Sequence, residues 1–238
     1  EHTHKKKSES TKQTKTNTLQ ERIAKIEQEL KKAENSNGLL GKAWSWFKNK
    51  TDRFLPVDSS NKVRKQLQIE KQKIKDIILI KPEIYSDNRG FFMESYKKSE
   101  FSDNGITEDF NQDNYSKSKK HVLRGLHFQQ APYEQSKLIR CLKGRIYDVS
   151  VDIRLNSKTF GQYVKIELSE NNKHMLYIPV GFAHGFVALT DEVEILYKTS
   201  KEYNQNADKG IIWCDKDINI DWEIDFDPIL SAKDEKQP

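Results

Sequence analysis

The densest run of reactive side chains in this 238-residue sequence is Arg124-Gly125-Leu126-His127-Phe128-Gln129, with Lys137 ten residues beyond the histidine. A second histidine, His184, sits within Gly181-Phe182-Ala183-His184-Gly185-Phe186. Histidine is the one side chain whose ordinary pKa, about 6.5, lets it accept or release a proton near neutrality. Taken singly, each histidine is more often structural than catalytic, and Arg124 alone is as readily a surface salt bridge. The residues mark a place to look and leave the reaction open.

The elements that must position them read as β-structure. From Asp76 onward the chain runs in short alternating stretches punctuated by Gly, Asn and Asp, the pattern of an antiparallel all-β domain. Tyr147, Val149, Val151 and Ile153 fall on one face of a strand and Asp148, Ser150, Asp152 and Arg154 on the other, which predicts a half-buried strand over 147–154. Val164, Ile166 and Leu168 alternate with Lys165, Glu167 and Ser169 in the same way, after a turn at Gly161. Further strands are expected at 138–142, 174–179, 186–189 and 194–199. Many short strands without a long helix between them suggest a sandwich or jelly roll. A jelly roll carrying histidines raises the alternative of a metal-binding cupin, whose site needs two histidines one residue apart and a glutamate a few residues on. Phe128 and Gln129 follow His127 instead, which disfavours metal catalysis.

Residues 1–75 differ in character. They hold 19 Lys+Arg against 9 Asp+Glu, an excess of +10, while the remainder holds 22 against 27 and is mildly acidic; together these make the net +5. The basicity belongs to the extension, so nucleic acid is not expected as a partner. Residues 1–18 are polar with little to bury and predict a flexible tail. Leu19, Ile23, Ile26 and Leu30 repeat at helical spacing, and a second helical stretch is expected over 61–75 with Val63, Leu67 and Ile74 on one side. Between them, Trp44, Trp46, Phe47 and Phe54 lie among Lys42, Lys48, Lys50 and Arg53. That composition suits a membrane interface, although packing on the neighbouring domain or a partner subunit is the favoured reading. Two cysteines, Cys141 and Cys214, are too few and too far apart for a disulfide framework or a cysteine-rich zinc site. With no run of about 18 apolar residues and no apolar leader, a soluble, cytoplasmic protein is expected. The chain opens at Glu1 without Met, as an excised fragment would, and His2 and His4 are given no function.

The runs Ser86 to Glu94, Gln112 to Ser116, Val122 to Gln129, Lys137-Leu138 and Asp148 to Arg154, followed by Pro179 to Phe186, Tyr197, Tyr203, Gly210 to Trp213 and Ser231 to Asp234, carry a resemblance. In order and spacing, over about residues 76–238, the chain resembles the dTDP-4-dehydrorhamnose 3,5-epimerases. The resemblance implies an all-β, cupin-type jelly roll (a double-stranded β-helix) with a site free of metal and cofactor, preceded here by a helical, basic extension unlike anything in that family. It implies that His127 is the base, oriented by Asp234, that Tyr197 donates a proton from the opposite face, and that Lys137 stands at the developing enolate. Chemistry agrees: a C4 ketone acidifies the protons on C3 and C5, and inversion requires one group to remove a proton and another to return it. His184 and Arg124 match residues lining the sugar and diphosphate. Arg89 and Glu94 match residues that reach the nucleotide from a neighbouring subunit, so a homodimer with shared sites is implied. Gln112, Asp113 and Asn114 match a nucleotide-contacting run, and Lys233 and Asp208 also fall on binding positions, with Asp208 standing where glutamate is usual. Tyr203 suits stacking on the base as well as ordinary packing.

The activity implied is inversion of C3 and C5 of dTDP-4-keto-6-deoxy-glucose to dTDP-4-keto-rhamnose. The same residues also fit an enzyme acting at one carbon or on a GDP-linked keto sugar. A reading of another class is a catalytically silent sugar-nucleotide binding module, which loss of His127 or Tyr197 would have favoured; both are present.

Overall fold

The computed structural model describes residues 67–238. The expected tail, the first helical seam, the aromatic and basic segment and the start of the second helical stretch lie outside the described residues. Two antiparallel sheets make the body. The larger contains, in spatial order, β1 (Gln68–Lys71), β2 (Ile78–Lys81), β10 (Met175–Ile178), β7 (Lys137–Lys143), β12 (Glu192–Thr199) and β5 (Gln112–Lys119). The smaller contains β13 (Asp208–Gly210), β6 (Leu123–Gln129), β11 (Phe182–Ala188), β8 (Arg145–Asp152) and β9 (Tyr163–Ser169). A separate hairpin joins β3 (Tyr85–Asp87) to β4 (Gly90–Phe92), and one short helix, α1, covers Lys98–Asp103. This is the expected jelly roll, in which non-consecutive strands become neighbours within each sheet.

Alternation along the strands builds the layers. Between the sheets, Ile139, Cys141 and Ile195 of the larger meet Ile146, Val164, Leu168 and Phe186 of the smaller in one apolar cluster. The intervening residues of the larger sheet, Leu138, Met175, Tyr177, Ile78 and Ile80, face outward and are covered by Phe101 of α1 and by Ile106. On the outer side of the smaller sheet, Leu123, Leu126, Val149, Val151 and Val187 lie under Trp222 with Trp213, Ile218 and Ile220 of the C-terminal segment. Each fully buried aliphatic side chain is worth about 1.5–3 kcal/mol. The first cluster therefore sets the spacing between the sheets, and the other two hold α1 and the C-terminal segment on their outer faces.

Two expectations are corrected here. In the described part of the stretch predicted as helix over 61–75, residues 68–71 form strand β1, which pairs Ile69 with Ile80 and Lys71 with Ile78. Leu67 and Ile69 alternate with Gln68 and Glu70, so the segment satisfies a two-residue period, and pairing along the edge of β2 packs Leu67 and Ile69 against the outer cluster. The sheet thus starts ahead of residue 76, and Ile74 is also part of the inner core. Strand β8, in turn, is buried on both faces: Asp148, Ser150 and Asp152 are each 0% exposed. The polar face looks into the interior, and the apolar face lies beneath the C-terminal segment. Burial of the Asp152 charge is offset by Arg154, whose backbone N–H, Nε and Nη2 donate at 3.0, 2.9 and 2.7 Å, and by the hydroxyls of Ser157 and Thr159 at 2.6 and 2.7 Å. Arg154 also reaches Asp76 at 2.8 Å, tying this strand end to the segment before β2.

Candidate active site

Strands β6 and β11 cross at closest range where each has a glycine. A Cβ on Gly125 would lie 2.5 Å from the Gly185 Cα, and Gly125 holds φ at +126°, so no other residue fits there without displacing backbone. The crossing carries a bulge: Phe186 pairs with Arg124 and His184 with His127, two steps on β11 against three on β6. Leu123 and Leu126 consequently share the outer cluster despite being three residues apart. His127 is thereby aligned directly opposite His184 across the strand pair.

His127 Nε2 lies 2.5 Å from Asp234 Oδ1. Asp234 opens a 3-10 turn over Asp234–Lys236, is 2% exposed, and accepts this contact while its own N–H donates to Ser231 Oγ at 3.1 Å. The turn is held near β6 because the Ile212 N–H donates to the Pro238 carbonyl at 2.8 Å. Burial alone would raise the Asp234 carboxyl; the hydrogen bond and charge of His127, with help from Ser231 and Lys233, outweigh it and hold the group below its ordinary value.

A cavity of about 380 Å³ opens over His127. Tyr197 of β12 lines it from the larger sheet, so histidine and phenol come from different sheets into one space. Burial pushes the Tyr197 phenol above its ordinary value, with Arg124 opposing and Asp208 adding. Lys137, the first residue of β7, also borders the cavity, and burial lowers its ammonium to about 8 against the attraction of Asp148 and Asp208. At the rim, Asp208 Oδ2 accepts from the Tyr203 hydroxyl at 2.9 Å and from Lys233 Nζ at 2.5 Å. Gln112 and Asn114 of β5 complete that side, joined by a 2.7 Å bond from Gln112 Nε2 to Asn114 Oδ1, while Gln112 Oε1 accepts from the Tyr203 N–H at 2.8 Å.

The other expected site residues lie elsewhere. Asp113 alternates to the far face of β5 and pairs with Lys198 at 2.9 Å. Arg124 donates to Ser118 Oγ at 3.1 Å and to the Lys117 carbonyl at 3.2 Å. His184 is buried beside His127, with its Nε2 2.8 Å from Asp148 Oδ2. Arg89 sits at the tip of the β3–β4 hairpin beside Asp87, and Glu94 follows that hairpin; neither borders the cavity. Three lining residues were not anticipated: Phe128, Gln129 and Gln135. Gln129 lies two residues past His127 on the same strand, a period that would have found it. Its amide accepts from the Asn204 N–H at 2.7 Å and donates to the Tyr133 carbonyl at 2.8 Å, fixing two loops of the rim. Among the described residues no group of three or more His, Cys, Asp or Glu is arranged to hold a metal ion, and no helix is long and apolar enough to cross a membrane.

The family model for dTDP-4-dehydrorhamnose 3,5-epimerase matches residues 71–238. The chain belongs to this epimerase family. Its match begins within β1, in keeping with the start of the sheet. A dTDP-4-dehydrorhamnose 3,5-epimerase from Shigella flexneri is 49% identical over 169 residues, covering 71% of this chain and 93% of its own. Among solved structures, a dTDP-6-deoxy-D-glucose-3,5-epimerase from Legionella pneumophila in complex with dTDP-4-keto-L-rhamnose is 42% identical with a TM-score of 0.71, over 72% of this chain and 92% of that one. A 3'-monoepimerase from Streptomyces bikiniensis in complex with dTDP-quinovose is more distant, at 30% identity and a TM-score of 0.67, over 70% and 85% of the two chains.

Proposed function

We propose that this epimerase inverts both C3 and C5 of dTDP-4-keto-6-deoxy-glucose, giving dTDP-4-keto-rhamnose. The observation that carries the reading is the entry of His127 and Tyr197 into one sugar-sized cavity from two different sheets, with Lys137 beside them. With the Nε2 proton of His127 donated to Asp234, Nδ1 keeps a lone pair and serves as the base toward C3 or C5. Removal of either proton places negative charge on O4. The Lys137 ammonium stabilises that enolate, a contribution on the order of 3 kcal/mol when a donor is held ready in a site closed to water. Tyr197, kept protonated by its raised pKa, returns a proton to the opposite face of the ring and so inverts the carbon. The ammonium of Lys233 suits the diphosphate, and Gln112, Asn114 and Tyr203 suit the thymidine end. Arg89 and Glu94 reach a neighbouring subunit's site in a homodimer.

The test is turnover of dTDP-4-keto-6-deoxy-glucose in deuterated water. Two deuterium atoms, one each at C3 and C5, are expected in the product; label at one carbon alone would place the chain with the single-carbon enzymes, and none would leave a silent binding module. In a Tyr197→Phe variant, exchange should persist in part while inversion fails, and equal loss of both would remove Tyr197 from the role of acid.

A further inference from the structure

Behind the cavity lies a second histidine–carboxylate pair that the proposed reaction does not use. Asp148 projects from β8 to the interior, is 0% exposed, and spends Oδ2 on His184 Nε2 at 2.8 Å. Its other oxygen, Oδ1, is buried with no hydrogen-bond partner, as is the Oγ of Ser150 two residues along the same strand face. A buried carboxylate oxygen left without donors costs several kcal/mol unless a positive charge faces it. His184 does not supply that charge, because burial draws its imidazole below the ordinary value and favours the neutral ring. Lys137 acts on Asp148 without a direct ion pair: it begins β7 in the facing sheet, on the face that Ile139 and Cys141 turn to the interior. Of the charges acting on its ammonium, Asp148 is the strongest that favours the protonated form, ahead of Asp208, with Lys233 opposing. The neighbouring rings are not counter-charges to it: the charges of Lys137 and His127 both act to lower the imidazole of His184.

We infer that Asp148 is a positioning residue for this chemistry: clamped by His184, it presents its free oxygen as the buried counter-charge that keeps Lys137 an ammonium at the cavity. The inference rests on the proposed role of Lys137 at the enolate. It gives the His184–Asp148 pair a purpose distinct from that of His127–Asp234. One pair aims a base, and the other holds a cation charged where burial would strip its proton.

The experiment follows the Lys137 side-chain resonance by NMR in protein labelled at the lysine ε-carbon, in the full chain without substrate. In Asp148→Asn, which keeps the shape and a hydrogen bond to His184, the Lys137 midpoint should fall by about one pH unit or more, while Ser150→Ala should leave it in place. An unchanged midpoint in Asp148→Asn overturns the inference. With substrate, the alkaline limb of the kcat profile should move to lower pH by a like amount with KM unchanged, since Asp148 does not border the cavity; an unmoved limb also overturns it. Should Asp148→Asn fail to fold, the Asp148 carboxyl resonance of the unsubstituted chain must show an inflection at the Lys137 midpoint, and a flat trace there counts against the idea. If the unsubstituted chain takes up no deuterium at C3 or C5, the functional reading fails on its own while the titration still decides this one.

Discussion

His127 and Asp234 are 107 positions apart in sequence and 2.5 Å apart in space. The carboxylate selects the tautomer in which the far ring nitrogen is unprotonated, so an amide in its place can select the wrong one. Asp234→Asn should therefore lower kcat by about 10²–10⁴-fold with little change in KM, read from steady-state kinetics. Asp152 illustrates a carboxylate serving stability. Burial would raise its pKa, but Arg154, Ser157 and Thr159 outweigh that and depress it far below the ordinary carboxylate range. A depressed native pKa contributes stability that is fully present above the unfolded value of about 3.9 and is lost as pH falls through the native value. Asp152→Ala should thus lower the urea-unfolding free energy by about 3 kcal/mol at pH 7, and the difference from the unsubstituted protein should shrink below pH 4.

Among the strands, β1 is the element whose sequence reads two ways. Its partners are specific: Ile69 opposite Ile80, Glu70 in an ion pair with Lys81, and Ile74 2% exposed just beyond the strand. A chain beginning at Leu67 keeps all of these, and one beginning at Asp76 loses them and uncovers the edge of β2. The second should be less stable than the first by about 3 kcal/mol, from the burial of Ile74 and Ile69 alone, and the two urea midpoints measure the difference. The strands expected over 164–169 and 194–199 were legible without coordinates because a two-residue period is set by side chains two positions away on the same strand. The bulge at Gly125 was not, since it depends on the backbone of Gly185 pressing against it from another strand.

For the molecule as a whole, the β3–β4 hairpin is the part that stands out from the two sheets, with Tyr85, Phe91 and Phe92 each more than 40% exposed and Arg89 at its tip. If a homodimer shares its sites through this hairpin, mixing inactive Arg89→Ala and His127→Ala chains should restore roughly a quarter of the unsubstituted activity, because half of randomly paired dimers are mixed and each carries one intact site. Absence of recovery after subunit exchange would confine each site to a single chain. Residue types and order alone carried the jelly roll, the family and the nomination of His127, Lys137 and Tyr197, because motif spacing and strand period are local properties written along the chain. The family resemblance had already joined His127 to Asp234; only the tertiary structure decided that Asp113 turns away while Gln112 and Asn114 turn in, that the polar face of β8 is buried, and that residues 68–71 join the sheet. Each of these depends on which distant strand becomes a neighbour when two sheets close on one core, a choice made by packing over the whole domain that no short stretch of sequence displays.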